Sequence, residues 1–343
     1  MIPARALPRR LAGEPARAMK GQVCSALAAL AFPVLLGALA GRARLLERSA
    51  DTASEAVGPL NRFALLIAFP TLVVAAWLDP ERRMRIDGAL ALAATVAMGA
   101  GVGAAWALGD RTVGGTRLPS RGALALVALF GNSAYLGLPL TAAVLGPEAL
   151  GPASFVVALH VAVSVTVGGY LLARWSGRDA SGRVVLRKLA SSPLAWSPLV
   201  GLGLAALRDA AGLAGHPALA AAHAALDGIG RTASPLGLFV LGLFLARPRD
   251  EVRVPVASDL AFGLVRLVVA PLAALVAGRV LGLGPDALRL VVLLSGVPAA
   301  ISTFAMAHDA GVQPERVARA IVTTTLLSAA TIPAMLWLSA RIA

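Results

Sequence analysis

Charge is scarce in this sequence: Asp, Glu, Lys and Arg together make up 14% of its 343 residues, against roughly a quarter in an ordinary soluble domain. That scarcity excludes a soluble globule. With 58% hydrophobic residues and a mean hydropathy of +0.78, the chain carries more apolar surface than one interior can hide, so the excess must face lipid. Cysteine is reduced to Cys24, which leaves no intramolecular disulfide and no cysteine-built metal centre. The sequence has no His-Glu-x-x-His, no serine nucleophile elbow and no P-loop, so nothing in it assembles an enzyme or an ATP site, and no cofactor is called for. The Lys and Arg excess gives a net charge of +13. It falls in short clusters between apolar runs and not on one continuous face, which argues against nucleic acid as a partner.

What the sequence does have is long apolar runs. Stretches of bilayer-spanning length run 23–40, 60–78, 89–108, 123–145 and 153–175, and then 193–207, 229–246, 260–281, 288–307 and 321–338. The expectation is therefore an all-α integral membrane protein of about ten transmembrane helices with the lipid bilayer as its solvent. Residues 1–20 form a basic extension, with Met19 as an alternative start. The first run ends in Ala38-Leu39-Ala40 and imitates a signal peptide. Against cleavage stands its apparent copy in the second half, where Ser197-Pro198-Leu199-Val200-Gly201 parallels Phe32-Pro33-Val34-Leu35-Leu36-Gly37.

The copy extends downstream. Pro33 and Pro70 are separated by the same interval as Pro198 and Pro235, and Gly137-Leu138-Pro139 interrupts the fourth span as Gly296-Val297-Pro298 interrupts the ninth. Five spans per half force the second half to enter the membrane from the opposite side. The reading is two inverted repeats, 21–175 and 193–343, joined by a linker at 176–192. Arginines after the first, third and fifth spans (Arg42, Arg44 and Arg48; Arg111, Arg117 and Arg121; Arg174, Arg178, Arg183 and Arg187) put those loops and the linker in the cytoplasm and both termini outside. Arg5, Arg9, Arg10, Arg17 and Lys20 in the N-terminal extension oppose that assignment.

A proline inside a membrane helix removes a donor and opposes the preceding turn, so such a break persists only where protein, water or solute takes over the freed groups. New half-helices are expected to begin after Pro139 and Pro298, with amide ends suited to an anion. A packing kink is the competing explanation, and Pro33, Pro198 and Pro271 are read that way. Asn132 lies about two turns before Pro139 and serves either as helix glue or as a solute ligand. Ser295, Ser302 and Thr303 flank the other break, either bonding back to helix carbonyls or facing solute. His160 and Arg266 are ionisable residues inside spans. His160 is either a neutral structural residue or a proton-coupling one, and Arg266 either faces a cavity or snorkels toward Asp259. Gly99, Gly101 and Gly103 in the third span, with Ala97 and Ala105, are read as a small-residue face for close helix packing.

These motifs carry a resemblance. Leu60-Asn61-Arg62-Phe63 running into Phe69-Pro70, Phe130-Gly131-Asn132 running into Gly137-Leu138-Pro139-Leu140, and Pro235 to Gly242 resemble the auxin efflux carrier family, as does Ala320 to Ser328. The similarity covers nearly everything after Met19. It implies a scaffold domain of helices 1, 2, 6 and 7 and a transport domain of helices 3–5 and 8–10, with the fourth and ninth helices crossing at the substrate site. It implies that Asn132 contacts substrate, and Arg266 looks like a basic residue frequent in the family's eighth helix. With the residues read at the breaks, the site is taken to include Asn132, Gly137, Pro139, Ser295, Pro298, Ser302 and Thr303, with His160 and Arg266 in coupling or gating. The chain departs from the family around Pro298, where Ala299, Ala300, Ile301 and Ser302 replace the further proline or amide often found. It also lacks the long central loop of the plant members. The function expected is secondary transport of a small organic anion, a carboxylate, across the cytoplasmic membrane, with proton coupling and a homodimer left open. A solute receptor on the same fold is the alternative.

Overall fold

The structure, a computed structural model, describes residues 16–43, 45, 53–79, 87–175, 183, 187, 190–213, 215–246 and 255–342. The expectations for residues 1–15 and for most of the 176–192 linker lie outside these. The described chain is almost entirely helical, with one two-stranded antiparallel hairpin pairing Thr112–Val113 with Thr116–Arg117. Seven helical segments are long and apolar enough to cross a membrane: Ser25–Arg42, Gly58–Leu78, Gly88–Leu108, Pro147–Leu171, Pro217–Ala246, Val256–Val280 and Pro314–Ile342. The other three expected spans fall on the 18-residue helix Pro193–Ala210 and on two interrupted helices. One of these joins Arg121–Leu129 to the segment Ser133–Leu145, and the other joins Pro285–Ser295 to Ser302–Ala310.

The apolar pattern sorts these helices. In Arg121–Leu129 every residue from Gly122 onward is buried, and in Pro285–Ser295 every residue from Leu288 onward. A helix buried all round belongs at the centre; Pro285–Ser295 does so although it carries Arg289, which lies 3.6 Å from Asp286 one turn back. By contrast, Phe32, Leu35, Leu36 and Leu39 on the first helix, Trp106 on the third and Val280 on the eighth are exposed, the surface expected toward lipid.

The closest packing is achieved by glycines outside the third span. Ala16–Arg42 packs along Ala233–Ala246 so closely that a Cβ on Gly37 would lie 2.0 Å from the Phe239 carbonyl oxygen, and one on Gly242 would lie 2.0 Å from that of Val34. Pro193–Ala210 packs on Phe69–Leu78, where Gly201 makes room for Trp77. In the third span only Gly101 meets a neighbour, Ala128, whereas Gly99 and Gly103 face open space. Gly101 shares a buried face with Ala97 and Ala105, four residues to either side, so the small-residue packing face expected there holds for those three residues and not for Gly99 and Gly103.

The prolines also act differently from expectation. Of the four π-turns among the described residues, three, Ala64–Ala68, Ser133–Gly137 and Leu264–Val269, lead directly into a helix whose second residue is a proline: Pro70, Pro139 and Pro271; the fourth, Ser164–Gly168, leads into Gly169–Trp175 without one. A proline ring collides with the carbonyl four residues back. The helix answers by widening, so that the amide just before the proline reaches five residues back: Phe69 to Ala64, Leu138 to Ser133 and Ala270 to Val265. Pro139 therefore sits within a continuing helix and does not mark the break. The unwound segment lies earlier, at 130–132, and the new half-helix opens at Ser133. Pro298 does sit in its own unwound segment, at 296–301, so the two prolines are not equivalent in position. Pro33 and Pro198 lie inside unbroken helices.

Substituting Gly37 by alanine should force the first helix away from the Phe239 carbonyl, costing about 1–3 kcal/mol as overpacking does. Gly103→Ala should be neutral or stabilising. Thermal melting of the detergent-purified variants reads the difference.

Candidate functional site

The two unwound segments cross at the centre of the protein and hydrogen-bond to one another as a two-residue piece of antiparallel sheet. Gly131 pairs with Ala299, the Asn132 amide donates to the Pro298 carbonyl at 2.7 Å, and the Ala300 amide donates to the Phe130 carbonyl at 2.9 Å. Each helix thus repairs part of the other's break, as buried backbone polar groups require.

Side chains supply the rest. The Arg266 guanidinium spans both breaks, its Nε donating to the Val297 carbonyl at 2.6 Å and its Nη1 to the Ala128 carbonyl at 2.8 Å. Ser164 Oγ donates to the Leu129 carbonyl at 2.8 Å, and Thr303 Oγ1 reaches the Phe130 carbonyl at 3.3 Å. Thr324 Oγ1 accepts from the Ala299 amide at 3.2 Å while donating to the Ala320 carbonyl in its own helix. Asn132 offers its own carbonyl to the Leu136 and Gly137 amides, starting the half-helix that follows.

Arg266 therefore points inward and does not snorkel. It is 3% exposed, and Asp259, about two turns away on the same helix, pairs with Arg319 at 2.9 Å. Its remaining nitrogen, Nη2, is buried without a partner and lies against the backbone of Gly131, where a Cβ would stand 1.8 Å away. Only glycine leaves room for the guanidinium at that point.

Gly131 also lines a cavity of about 60 Å³, to which Arg266 does not contribute, with room for a few waters. Its wall is the unwound segment itself with Asn132 and Ser133, joined by His160, Ala300 and Ser302, and closed by Asn61, Leu65 and Leu194 from the second and sixth expected spans. The Asn132 Nδ2 and His160 Nε2 atoms are buried and have no hydrogen-bond partner. The start of the half-helix at Ser133 adds opening-turn amides and the positive end of its dipole. Tyr135, one turn further, donates its hydroxyl to Asn61 Oδ1 and stacks on Phe69 at 5.0 Å between ring centres.

Of the residues singled out in the sequence, Asn132, Ser302 and His160 share the cavity wall. Pro298 and Thr303 belong to the crossing's hydrogen bonds, and Arg266 clamps it from behind. Ser295 Oγ is buried and unpartnered at the end of its half-helix. Gly137 packs against Leu294, and Pro139 lies within the following helix; neither lines the cavity. Sequence reasoning passed over Asn61, Gly131, Ser164 and Thr324. All but Ser164 stand in segments that carried the family resemblance, and Ser164 betrays itself only as a hydroxyl within an apolar span.

This arrangement defines a class. Residues 23–336 match the family model described as Membrane transport protein, the auxin efflux carrier family, and the chain belongs to that family. Among its relatives is a protein of Rhizobium meliloti (strain 1021) named "Putative malonate transporter", 28% identical over 301 residues, covering 86% of this chain and 90% of the relative. Two rice proteins (Oryza sativa subsp. japonica) are similar over shorter stretches. "Probable auxin efflux carrier component 5b" is 34% identical over 99 residues, 29% of this chain and 27% of its own. "Probable auxin efflux carrier component 5c" is 30% identical over 150 residues, 43% of this chain and 40% of its own.

The contact between Gly131 and Arg266 makes their substitutions interdependent. Gly131→Ala should destabilise the protein, but far less when Arg266 is already alanine, giving a double-mutant coupling of about 1 kcal/mol or more. Melting of the four proteins in one detergent measures it.

Proposed function

We propose that the protein is a secondary transporter that carries a small carboxylate across the membrane through the crossing of its two broken helices. The observation that carries this reading is the Asn132 amide nitrogen, buried and unpartnered on the wall of a cavity at that crossing, in a chain of a membrane transport family. A buried donor without a partner is costly. A carboxylate oxygen would satisfy it with a charge-assisted bond, and Ser302 and the opening of the Ser133 half-helix stand on the same wall to complete the shell. The relative named for malonate makes that dicarboxylate the first substrate to try.

Helix pairing supports an inverted repeat behind this site. The first helix packs on the seventh and the sixth on the second, while the third packs on the eighth, the set of contacts that exchanging the halves leaves unchanged. In this reading helices 1, 2, 6 and 7 are a scaffold, and helices 3–5 and 8–10 rock against it to expose the cavity alternately to either side. Asn61, Leu65 and Leu194 are then the scaffold's share of the cavity wall, and the bond from Tyr135 to Asn61 crosses the sliding surface.

Asn132→Ala should weaken malonate binding by roughly 1.5–3 kcal/mol, the worth of a hydrogen bond to a charged group, without lowering the melting temperature of the substrate-free protein. Asn132→Asp should bind more weakly still, because an ionised carboxylate repels the ligand and neither of its protonation states restores the amide donor. Affinity and substrate-free melting in one detergent, with malonate uptake into proteoliposomes, check both. Unchanged affinity in Asn132→Ala would overturn the assignment.

A further inference from the structure

The half-helices Arg121–Leu129 and Pro285–Ser295 both run into the crossing with their C-terminal ends. These are the negative ends of their dipoles, and they release carbonyls that no helical amide can reach. Carbonyls gathered in this way inside an apolar protein form a site for a cation. Arg266 fills it, with one nitrogen on a carbonyl from each break. Among the described residues no carboxylate pairs with this guanidinium. The one acidic residue on its own helix, Asp259, is held by Arg319, and the cavity wall contains no Asp or Glu. A buried cation compensated only by carbonyl dipoles is costly. Its free nitrogen lies against Gly131, which is itself one of the residues lining the cavity.

We infer that the Arg266 guanidinium is a tethered cation occupying the carbonyl site between the broken helices, and that its charge, acting across Gly131, balances the bound anion so that binding requires no metal ion such as sodium. The inference rests on the carboxylate-transport reading for the identity of the anion, but not for the occupancy of the carbonyl site. Arg266 does not touch the cavity. It is a positioning residue that holds the crossing together and places a charge against Gly131, a residue of the cavity wall. The anion in turn relieves the unbalanced charge of the guanidinium, so the two stabilise each other. Electrostatic attraction of this kind survives in a protein interior where water cannot screen it.

The test uses the full-length protein in detergent with malonate as the probe, in sodium chloride and in choline chloride, for the wild type and for Arg266→Lys, Arg266→Gln and Arg266→Ala. Wild-type malonate affinity and substrate-free melting should be the same in both salts. Arg266→Gln, which can still donate to a carbonyl but has lost the charge, should lose roughly tenfold or more in malonate affinity, and Arg266→Lys should recover part of it. Substrate-free Arg266→Ala should melt lower than the wild type. Guanidinium chloride, at concentrations far below those that unfold proteins, should raise its melting temperature and leave the wild type unmoved. Sodium dependence of wild-type affinity or melting would overturn the inference, as would full malonate affinity in Arg266→Gln or no guanidinium effect on Arg266→Ala. If the wild type binds no malonate in either salt, the carboxylate reading falls and the charge-balancing role with it. The guanidinium arm then still decides whether Arg266 fills a cation site.

Discussion

Backbone unwound in an apolar interior has to be hydrogen-bonded by the protein itself, and the crossing of the two broken helices is built around that constraint. Four residues of freed main chain, Phe130, Asn132, Pro298 and Ala300, pair with one another. Arg266, Ser164, Thr303 and Thr324 take up neighbouring groups from four other directions. Arg266, Ser164 and Thr324 belong to the eighth, fifth and tenth expected spans, so hydrogen bonds tie those three to the broken fourth and ninth. Three of the nine buried side-chain atoms left unpaired among the described residues lie here: Asn132 Nδ2 and His160 Nε2, from residues that line the cavity, and Arg266 Nη2 against Gly131.

The same constraint explains how prolines are tolerated. Where a helix can widen by one residue, as before Pro70, Pro139 and Pro271, the missing amide is absorbed within the helix and the chain stays wound. At Pro298 the residues around it have partners across the crossing, and the chain stays open. Proline in a membrane helix is thus a permission to unwind, and the partners available in the fold decide whether the permission is taken.

The membrane class and the approximate positions of the helices were legible because apolar runs of bilayer length have few other uses, and the family could be recognised from short motifs around Asn61, Asn132 and Pro235. The location of the break was less legible. Gly137-Leu138-Pro139 looks like a helix stop, yet the unwinding lies at 130–132, because what opens the chain there is the chance to pair with 298–300, a contact no local window contains. Arg266 shows the same limit. Its distance from Asp259 along one helix suggested snorkelling, whereas its partners Ala128 and Val297 belong to other helices. Gly131 read as part of a motif and acquires its reason only when the guanidinium lies against it. The small residues of the third span looked like one packing face; Ala97, Gly101 and Ala105 form it, Gly99 and Gly103 do not, and closer approaches fall at Gly37 and Gly242.

The account depends on an anion lying in front of the crossing while Arg266 stays behind it. The most direct measurement is an experimental structure of the protein in lipid with malonate bound, at a resolution that places side chains. The account predicts a carboxylate oxygen within hydrogen-bonding reach of Asn132 Nδ2, with Arg266 still on the carbonyls of Ala128 and Val297. An anion seated away from the crossing, or Arg266 released from those carbonyls to grip the ligand itself, would contradict it.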